Sequence, residues 1–167
     1  QRLAASVENA SHPLLARRPV GRALVLVYTS DRGLCGGFNN SLIKSVRGWI
    51  ARNPDHCSEI EMSFAGRRGY SFFSSRQKVR KYYEGITATP SFVAAKAMGL
   101  EIVESFLSGH FSDVYVAYNV FHSPLSQTSH IEKLLPIEGE YVTGGTTFSA
   151  DYIFEPGPEE ILAKIVP

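Results

Sequence analysis

The amino-acid sequence predicts an α/β domain built on a mostly parallel β-sheet with helices on both faces. Apolar stretches of strand length alternate with stretches of helical spacing through most of the 167 residues. This alternation is typical of repeated strand–helix–strand units. Residues 23–29 and 114–121 are nearly continuous apolar runs, as expected for strands that are covered on both faces.

The other elements can be predicted in chain order from spacing and from turn residues. The short link at His122-Ser123-Pro124 favours an antiparallel arrangement of the two strands that it joins. The predicted elements are a helix over 38–51, a strand over 60–65, a short helix opened by Gly66, a strand over 79–83, a helix from Ser91 to Gly109, a fifth strand over 126–135, a glycine-rich loop over 138–148 and a last short strand over 152–154.

Both ends of the sequence have helical spacing. Leu3, Val7 and Ala10 recur on one helical face near the start, with no capping residue before them, and a helix begins after Pro158 near the end. We therefore expect a helix end and linker over residues 1–21, a globular domain over 22–157 and the start of a second helix over 158–167. This organisation predicts a domain that sits inside a longer helical element.

Composition and charge exclude several classes of protein. Lys plus Arg is 17 and Asp plus Glu is 16, so the net charge is +1, which gives no general attraction to nucleic acid or to an anionic membrane. No apolar run is long enough to cross a bilayer, and the first residues lack the apolar core of a signal peptide. The two cysteines, Cys35 and Cys57, have neither C-x-x-C nor zinc spacing, so we predict no bound metal.

Residues 30–40, SDRGLCGGFNN, form the junction between a buried strand and a helix. Open α/β sheets usually place their working surface at such a junction, and the amides of a helix start can bind an anion. The glycines match neither G-x-G-x-x-G nor the phosphate-loop pattern G-x-x-x-x-G-K-[ST]. The alternative is a tight turn in which Asn39 caps the following helix.

Cys35 suggests a small phosphate- or nucleotide-binding enzyme. It lies near a predicted helix N-terminus, where a thiolate is stabilised, and His122 or His130 is a candidate base. A cysteine phosphatase would need an arginine just after the loop, and residues 36–42 contain none. A small, half-buried thiol is therefore the favoured interpretation.

Residues 67–83 suggest a nucleic-acid-binding module, because aromatic rings among cations can stack on bases and hold phosphates. The alternative places the aromatic rings in the core and the charges in solvent, and the net charge of +1 favours it. The residues concerned are Arg67, Arg68, Arg76, Lys78, Arg80 and Lys81, interleaved with Tyr70, Phe72, Phe73, Tyr82 and Tyr83.

The run SDRGLCGGFN over residues 30–39 closely resembles the signature of the γ subunit of F-type ATP synthases. Further landmarks appear in that family's order and cover nearly all of the chain. They are His12-Pro13-Leu14-Leu15, Gly66-Arg67-Arg68-Gly69, Leu134-Leu135-Pro136 and Tyr152-Ile153-Phe154-Glu155-Pro156.

This resemblance implies a Rossmann-like domain between two long helices, which form an antiparallel coiled coil inside the catalytic α3β3 ring. Such a subunit is a rotor in the central stalk. It couples proton flow through the membrane c-ring to ATP synthesis or hydrolysis, and it has no catalytic residue, cofactor or metal of its own. The implied partners are the β and α subunits, the ε subunit and the c-ring, without nucleic acid and without direct lipid insertion.

The resemblance also implies the contact residues. Asp31, Arg32, Gly33, Leu34, Cys35, Gly36, Gly37 and Asn39 would lie at the subunit contact near the moving part of β, and Tyr152 and Glu155 would lie near the c-ring. The sequence lacks the extra cysteine pair of the chloroplast form. We therefore expect a peripheral protein on the cytoplasmic side of a bacterial inner membrane, with the matrix side of the mitochondrial inner membrane as the alternative.

Overall fold

A computed structural model describes residues 13–19, 21–33, 37–52, 59–123 and 126–137 of the chain. The segments predicted at residues 1–10, 138–148, 152–154 and 158–167 lie outside the described residues. The described residues form a 3-10 turn, Pro13–Leu15, followed by β1 (Arg22–Tyr28), α1 (Phe38–Arg52), β2 (Glu59–Ala65), α2 (Arg67–Phe73), β3 (Lys78–Tyr83), α3 (Phe92–Leu107), β4 (Asp113–Ser123) and β5 (Ser126–Leu135).

The strands form one sheet in the order β3-β2-β1-β4-β5. The first four strands are parallel, and β5 runs antiparallel to β4. In the centre of the sheet, Ala23 of β1 is in register with Ile60 of β2 and with Asp113 of β4. The predicted mostly parallel sheet with one antiparallel strand is therefore confirmed.

Helices cover both faces of the sheet, because alternate side chains of β1 point to opposite sides. Leu24 and Leu26 pack with Phe106 of α3 on one face. Val25 and Val27 pack with α1 and α2 on the other. Both faces of β1 are thus buried, which explains its nearly continuous apolar sequence.

The link between β4 and β5 is shorter than the sequence indicated. We predicted His122 and Ser123 as part of a connection, whereas β4 continues through Ser123. The reason is the antiparallel ladder with β5, which keeps the two strands paired as far as Ser123 and Ser126. The hairpin therefore extends beyond the end of β1, where it borders the candidate site.

The first and last described segments meet at the edge of the sheet where β1 begins. The backbone N–H of Ile137 donates to the carbonyl of Leu14 at 2.9 Å. Arg18 donates to the carbonyls of Phe106, Leu107 and Phe111, and so holds the C-terminal end of α3 at the same edge. Seven residues of β1 separate this edge from the junction after Tyr28, a distance of about 20 Å.

Candidate functional site

The junction after β1 lies at the edge of the sheet where the parallel strands end. Ser30–Gly33 follow β1, Gly66 follows β2, and Thr87 lies in the connection after β3. Parallel strands bring these connections together, although they are far apart in sequence. The described part of the site is therefore assembled from several neighbouring strands.

Asp31 is the central connector of this edge. Its Oδ1 accepts a hydrogen bond from the backbone N–H of Arg67 at 2.9 Å, at the start of α2. Its Oδ2 accepts a hydrogen bond from the hydroxyl of Thr87. One half-buried carboxylate thus joins the connections that follow β1, β2 and β3.

Thr29 and Gly66 fix the turn after β2 against the end of β1. The hydroxyl of Thr29 donates to the carbonyl of Gly66 at 3.1 Å and accepts from the N–H of Gly69 at 2.9 Å. Gly66 has a φ of 106°, and a Cβ there would lie 1.9 Å from the carbonyl oxygen of Thr29. This close approach requires glycine.

Asn39 does not cap α1, so the capping interpretation was wrong. Its side-chain Oδ1 accepts from the backbone N–H of Ser30 at 3.0 Å, and its Nδ2 donates to the hydroxyl of Ser30 at 2.8 Å. The side chain is buried and points back to the end of β1, because Asn39 already lies in the first turn of the helix. The backbone N–H of Ser41 donates instead to the carbonyl of Gly37 at 2.8 Å.

Asn119 of β4 also holds the start of α1 in place through a hydrogen bond. Its Nδ2 donates to the carbonyl of Phe38 at 2.6 Å, and its Oδ1 accepts from the hydroxyl of Ser129 at 2.6 Å. Nothing in the sequence pattern identified Asn119, because its partner is 81 residues away. The two described ends of the junction are thus held by side-chain hydrogen bonds.

The predicted contact residues differ in how the structure presents them. Arg32 and Gly37 are exposed, while Asp31 is half-buried and bonded within the domain. Gly33 lies under the guanidinium of Arg68, whose Nη2 would be 2.1 Å from a Cβ at that position. The other predicted contact residues, Leu34, Cys35, Gly36, Tyr152 and Glu155, lie outside the described residues.

A cavity of about 760 Å³ opens between the junction and β4, lined by Asp31, Arg32, Phe38, Thr87 and Tyr118 among others. The two candidate bases for Cys35 lie on the neighbouring hairpin. His122 Nε2 lies 3.2 Å from the hydroxyl of Thr128, and the ring of His130 stacks on Tyr118. Because Cys35 is outside the described residues, the cysteine-enzyme alternative gains no support here.

The aromatic residues of 67–83 serve packing inside the domain. Tyr70 stacks on Tyr82 with ring centroids 4.6 Å apart, and both pack against the core formed with α1 and α2. Burial raises the pKa of Tyr82, and the nearby charge of Asp31 adds to the effect. These rings therefore pack within the domain, whereas a base-stacking surface would need rings exposed to solvent.

Three of the six cations of this stretch, Lys78, Arg80 and Lys81, have acidic partners on neighbouring elements. Lys78 Nζ lies 2.8 Å from carboxylate oxygens of both Glu59 and Glu61. Its hydrogen bond lowers the pKa of Glu59. Arg80 and Lys81 both pair with Glu101 of α3. This neutralisation weakens the nucleic-acid interpretation.

Metal-binding clusters and membrane-spanning helices can be assessed over residues 13–19, 21–33, 37–52, 59–123 and 126–137. In that part of the chain, no three His, Cys, Asp or Glu side chains are grouped so that they could hold a metal ion. Nor does any helix there combine the length and apolar character needed to cross a membrane.

Comparison with known protein families gives a match along the whole chain, residues 1–167, to the family described as ATP synthase. The chain belongs to the ATP synthase family. A relative within it, the ATP synthase gamma chain of Geobacter metallireducens, is 37% identical over 166 residues, which is 99% of this chain and 58% of the relative. The gamma chain of Geobacter sp. strain M21 is 38% identical over 170 residues. The chain thus spans about 58% of the length of these ATP synthase relatives.

A solved structure has a similar fold. A chain of the central stalk/c-ring structure of the Tetrahymena thermophila mitochondrial ATP synthase aligns with a TM-score of 0.58 and 22% identity. The alignment covers 80% of this chain and 59% of that one. The α/β fold is therefore shared with a chain of a known ATP synthase.

Proposed function

We propose that this chain is the globular part of the central-stalk rotor of an F-type ATP synthase. In this role it couples proton translocation through the membrane ring to ATP synthesis or hydrolysis on the catalytic ring. It performs no catalysis itself. The observation that carries the proposal is the family match over all 167 residues, with gamma chains as the curated relatives.

The proposed organisation keeps the three segments expected from sequence: a helix end and linker over 1–21, the globular domain over 22–157 and a helix start over 158–167. The backbone hydrogen bond between Ile137 and Leu14 joins the first and last described segments at one edge of the sheet. We propose that two long helices, continuing from residues 1–21 and 158–167, pair as an antiparallel coiled coil.

The junction is the proposed contact with the catalytic ring. Arg32 is its exposed cation, and a guanidinium makes directional hydrogen bonds to a carboxylate. Asp31 and Asn39 support this contact from within, because their side chains tie the turn to α2 and to β1. Gly37 and, by the same proposal, Leu34, Cys35 and Gly36 provide the surface that a neighbouring backbone approaches. Gly33 belongs to the same contact and leaves room for the guanidinium of Arg68.

The remaining proposed partners are the ε subunit and the c-ring, with Tyr152 and Glu155 facing the ring. The bacterial relatives favour a peripheral protein of the bacterial inner membrane over the mitochondrial alternative, and we propose its cytoplasmic side. In this proposal the other subunits hold the chain at the membrane, and the chain itself does not insert into the lipid.

Assembly and coupling test the proposal together. The full-length protein, co-expressed with all the other subunits of its own ATP synthase, including the stator, is expected to purify with them and to support ATP-driven proton pumping in vesicles. Arg32→Ala is expected to lower proton pumping relative to ATP hydrolysis. Arg52→Ala removes another exposed arginine, at the end of α1, and should leave that ratio unchanged. A chain that never purifies with α and β would refute the proposal.

A further inference from the structure

Asn119 lies where the surface of the sheet beneath α1 changes from apolar to polar. Ala117 of β4 and Ile131 of β5 are paired across the hairpin, and both pack in the core beneath α1. Alternate residues of a strand share a face of the sheet, so the next pair on that face is Asn119 and Ser129. The apolar packing beneath α1 therefore ends in a pair of polar side chains.

This polar pair contacts the first residue of α1. Nδ2 of Asn119 donates to the carbonyl of Phe38 at 2.6 Å. The hydroxyl of Ser129 donates to Oδ1 of Asn119, also at 2.6 Å. Because the acceptor of the amide is occupied by Ser129, its donor group is directed toward Phe38. Ser129 thus orients the hydrogen bond that Asn119 makes to the helix.

A second hydrogen-bonded side chain holds the next residue of α1. Asn39 is buried, and its amide bonds with the backbone N–H and the hydroxyl of Ser30, which follows β1. The junction leaves β1 at Ser30 and enters α1 at Phe38. The start of α1 is therefore connected to β1 through Asn39 and to β4 through Asn119.

The hydrogen bond from Asn119 opposes sliding of the helix start across the sheet. The backbone hydrogen bonds of a helix run along its axis and join it only to itself. The packing of Leu42 and Val46 on the sheet is apolar and has no preferred direction. A side-chain hydrogen bond from a strand depends on both distance and angle. It therefore adds resistance to a force that is applied at the junction.

We propose that Asn119 is a positioning residue of the rotor, which keeps the junction in place while the contact with the catalytic ring carries load. This inference rests on the proposed function. Asn119 acts through Phe38 and does not need to touch the ring, and Ser129 acts through Asn119. When the hydrogen bond is lost, the start of α1 shifts under load, part of the rotation is lost, and fewer protons are moved for each ATP.

Three variants test this role in the full-length protein, assembled with the other subunits of its ATP synthase. Asn119→Ala removes the bond to Phe38, and Ser129→Ala removes the group that orients it. Ser112→Ala is the matched control, because its buried hydroxyl donates to the carbonyl of Arg22 at 3.2 Å at the opposite edge of the sheet. The measurements are protons pumped per ATP hydrolysed in vesicles, and amide hydrogen exchange in the first turn of α1 by mass spectrometry.

We expect Asn119→Ala to lower the number of protons pumped per ATP by about twofold. Amide exchange in the first turn of α1 should become about fivefold faster, because one hydrogen bond to the sheet is lost. Ser129→Ala should change both quantities in the same direction but by less. Ser112→Ala should leave both close to the values of the parent protein.

An unchanged number of protons per ATP in Asn119→Ala, or an equal fall in Ser112→Ala, would overturn the inference, even if exchange in α1 is faster. If Asn119→Ala does not assemble, an unchanged number in Ser129→Ala overturns it. In each of these cases a parent complex that pumps protons leaves the proposed rotor function intact. A parent complex that does not pump would overturn the rotor function, and this inference with it.

Discussion

The carboxylate of Asp31 accepts a hydrogen bond from the backbone amide of Arg67 at 2.9 Å, across 36 residues of sequence. Its second oxygen accepts the hydroxyl of Thr87. This side chain therefore couples the shape of the junction to the turns that follow β2 and β3. The acidic residue of the signature acts first as an internal support, and Arg32 is the member that faces solvent.

Removing this support should destabilise the domain. Asp31→Ala leaves the Arg67 amide and the Thr87 hydroxyl without their acceptor, so we expect a loss of about 2 kcal/mol in the free energy of unfolding. Urea denaturation measures it. Glu84→Ala removes an exposed carboxylate from the connection after β3 and should cost far less. Equal losses in the two variants would show that the Asp31 hydrogen bonds contribute little.

Gly66 should be much less tolerant of substitution than Gly85, although both have a positive φ. In Gly66→Ala the new Cβ would clash with the carbonyl of Thr29, whereas at Gly85 it meets nothing within 4 Å. Gly85→Ala is expected to cost about 1 kcal/mol from the backbone conformation alone. Gly66→Ala should cost several times more, or prevent folding. Thermal unfolding of the two variants measures their losses of stability. Similar losses at the two positions would contradict the predicted clash at Gly66.

Arg18 should stabilise the C-terminal end of α3. Arg18→Met keeps an apolar chain over Phe106 but removes the donors to the carbonyls of Phe106, Leu107 and Phe111. We expect a loss of about 1–2 kcal/mol, together with faster amide hydrogen exchange in the last turn of α3. Arg17→Met, one residue earlier and exposed, is the matched control. If amide hydrogen exchange in the last turn of α3 is unchanged in Arg18→Met, Arg18 does not stabilise that end of the helix.

Acid should weaken the domain partly through Glu101. Burial opposes the ionised form of Glu101, but its hydrogen bond to Lys81 and the charges of Lys81 and Arg80 outweigh burial and lower its pKa below the ordinary value of 4.5. A lowered pKa in the folded state means that this stabilisation is complete above the unfolded pKa and is lost as the pH falls through the folded one.

The Glu101→Gln variant tests this acid sensitivity. We expect it to lose less stability than the parent chain between about pH 6 and about pH 3, because Gln cannot be protonated in this range. Chemical denaturation at a series of pH values measures the difference. Parallel pH profiles for the two proteins would exclude a contribution from Glu101.

The sequence predicted the elements of the fold because their signals are local. The apolar run of β1 and the helical spacing of α1 are both confirmed within one or two residues. Ser91 begins α3 as expected, and its hydroxyl accepts from the N–H of Ala94 at 3.2 Å. Such signals depend on burial and capping within one element.

The arrangement of the site was less predictable, because its partners are distant in sequence. Asn39 looks like a helix cap by residue type, but the end of β1 lies close enough to take its side chain. Asp31 was expected at the subunit contact, and no local pattern indicated that the parallel sheet brings the N–H of Arg67 and the hydroxyl of Thr87 to its carboxylate. Residue types at the junction therefore identified the right segment without assigning the role of each side chain.

Direct observation of rotation tests the central claim that this domain is part of a rotor. A probe can be attached at Ser75→Cys, which is exposed in the turn between α2 and β3, in a chain whose two native cysteines are replaced by serine. The assembled complex is immobilised through its catalytic ring, and ATP is added. The account predicts continuous rotation of the probe in one direction that stops when ATP is removed. A probe that stays fixed relative to a catalytic ring that is hydrolysing ATP would contradict it.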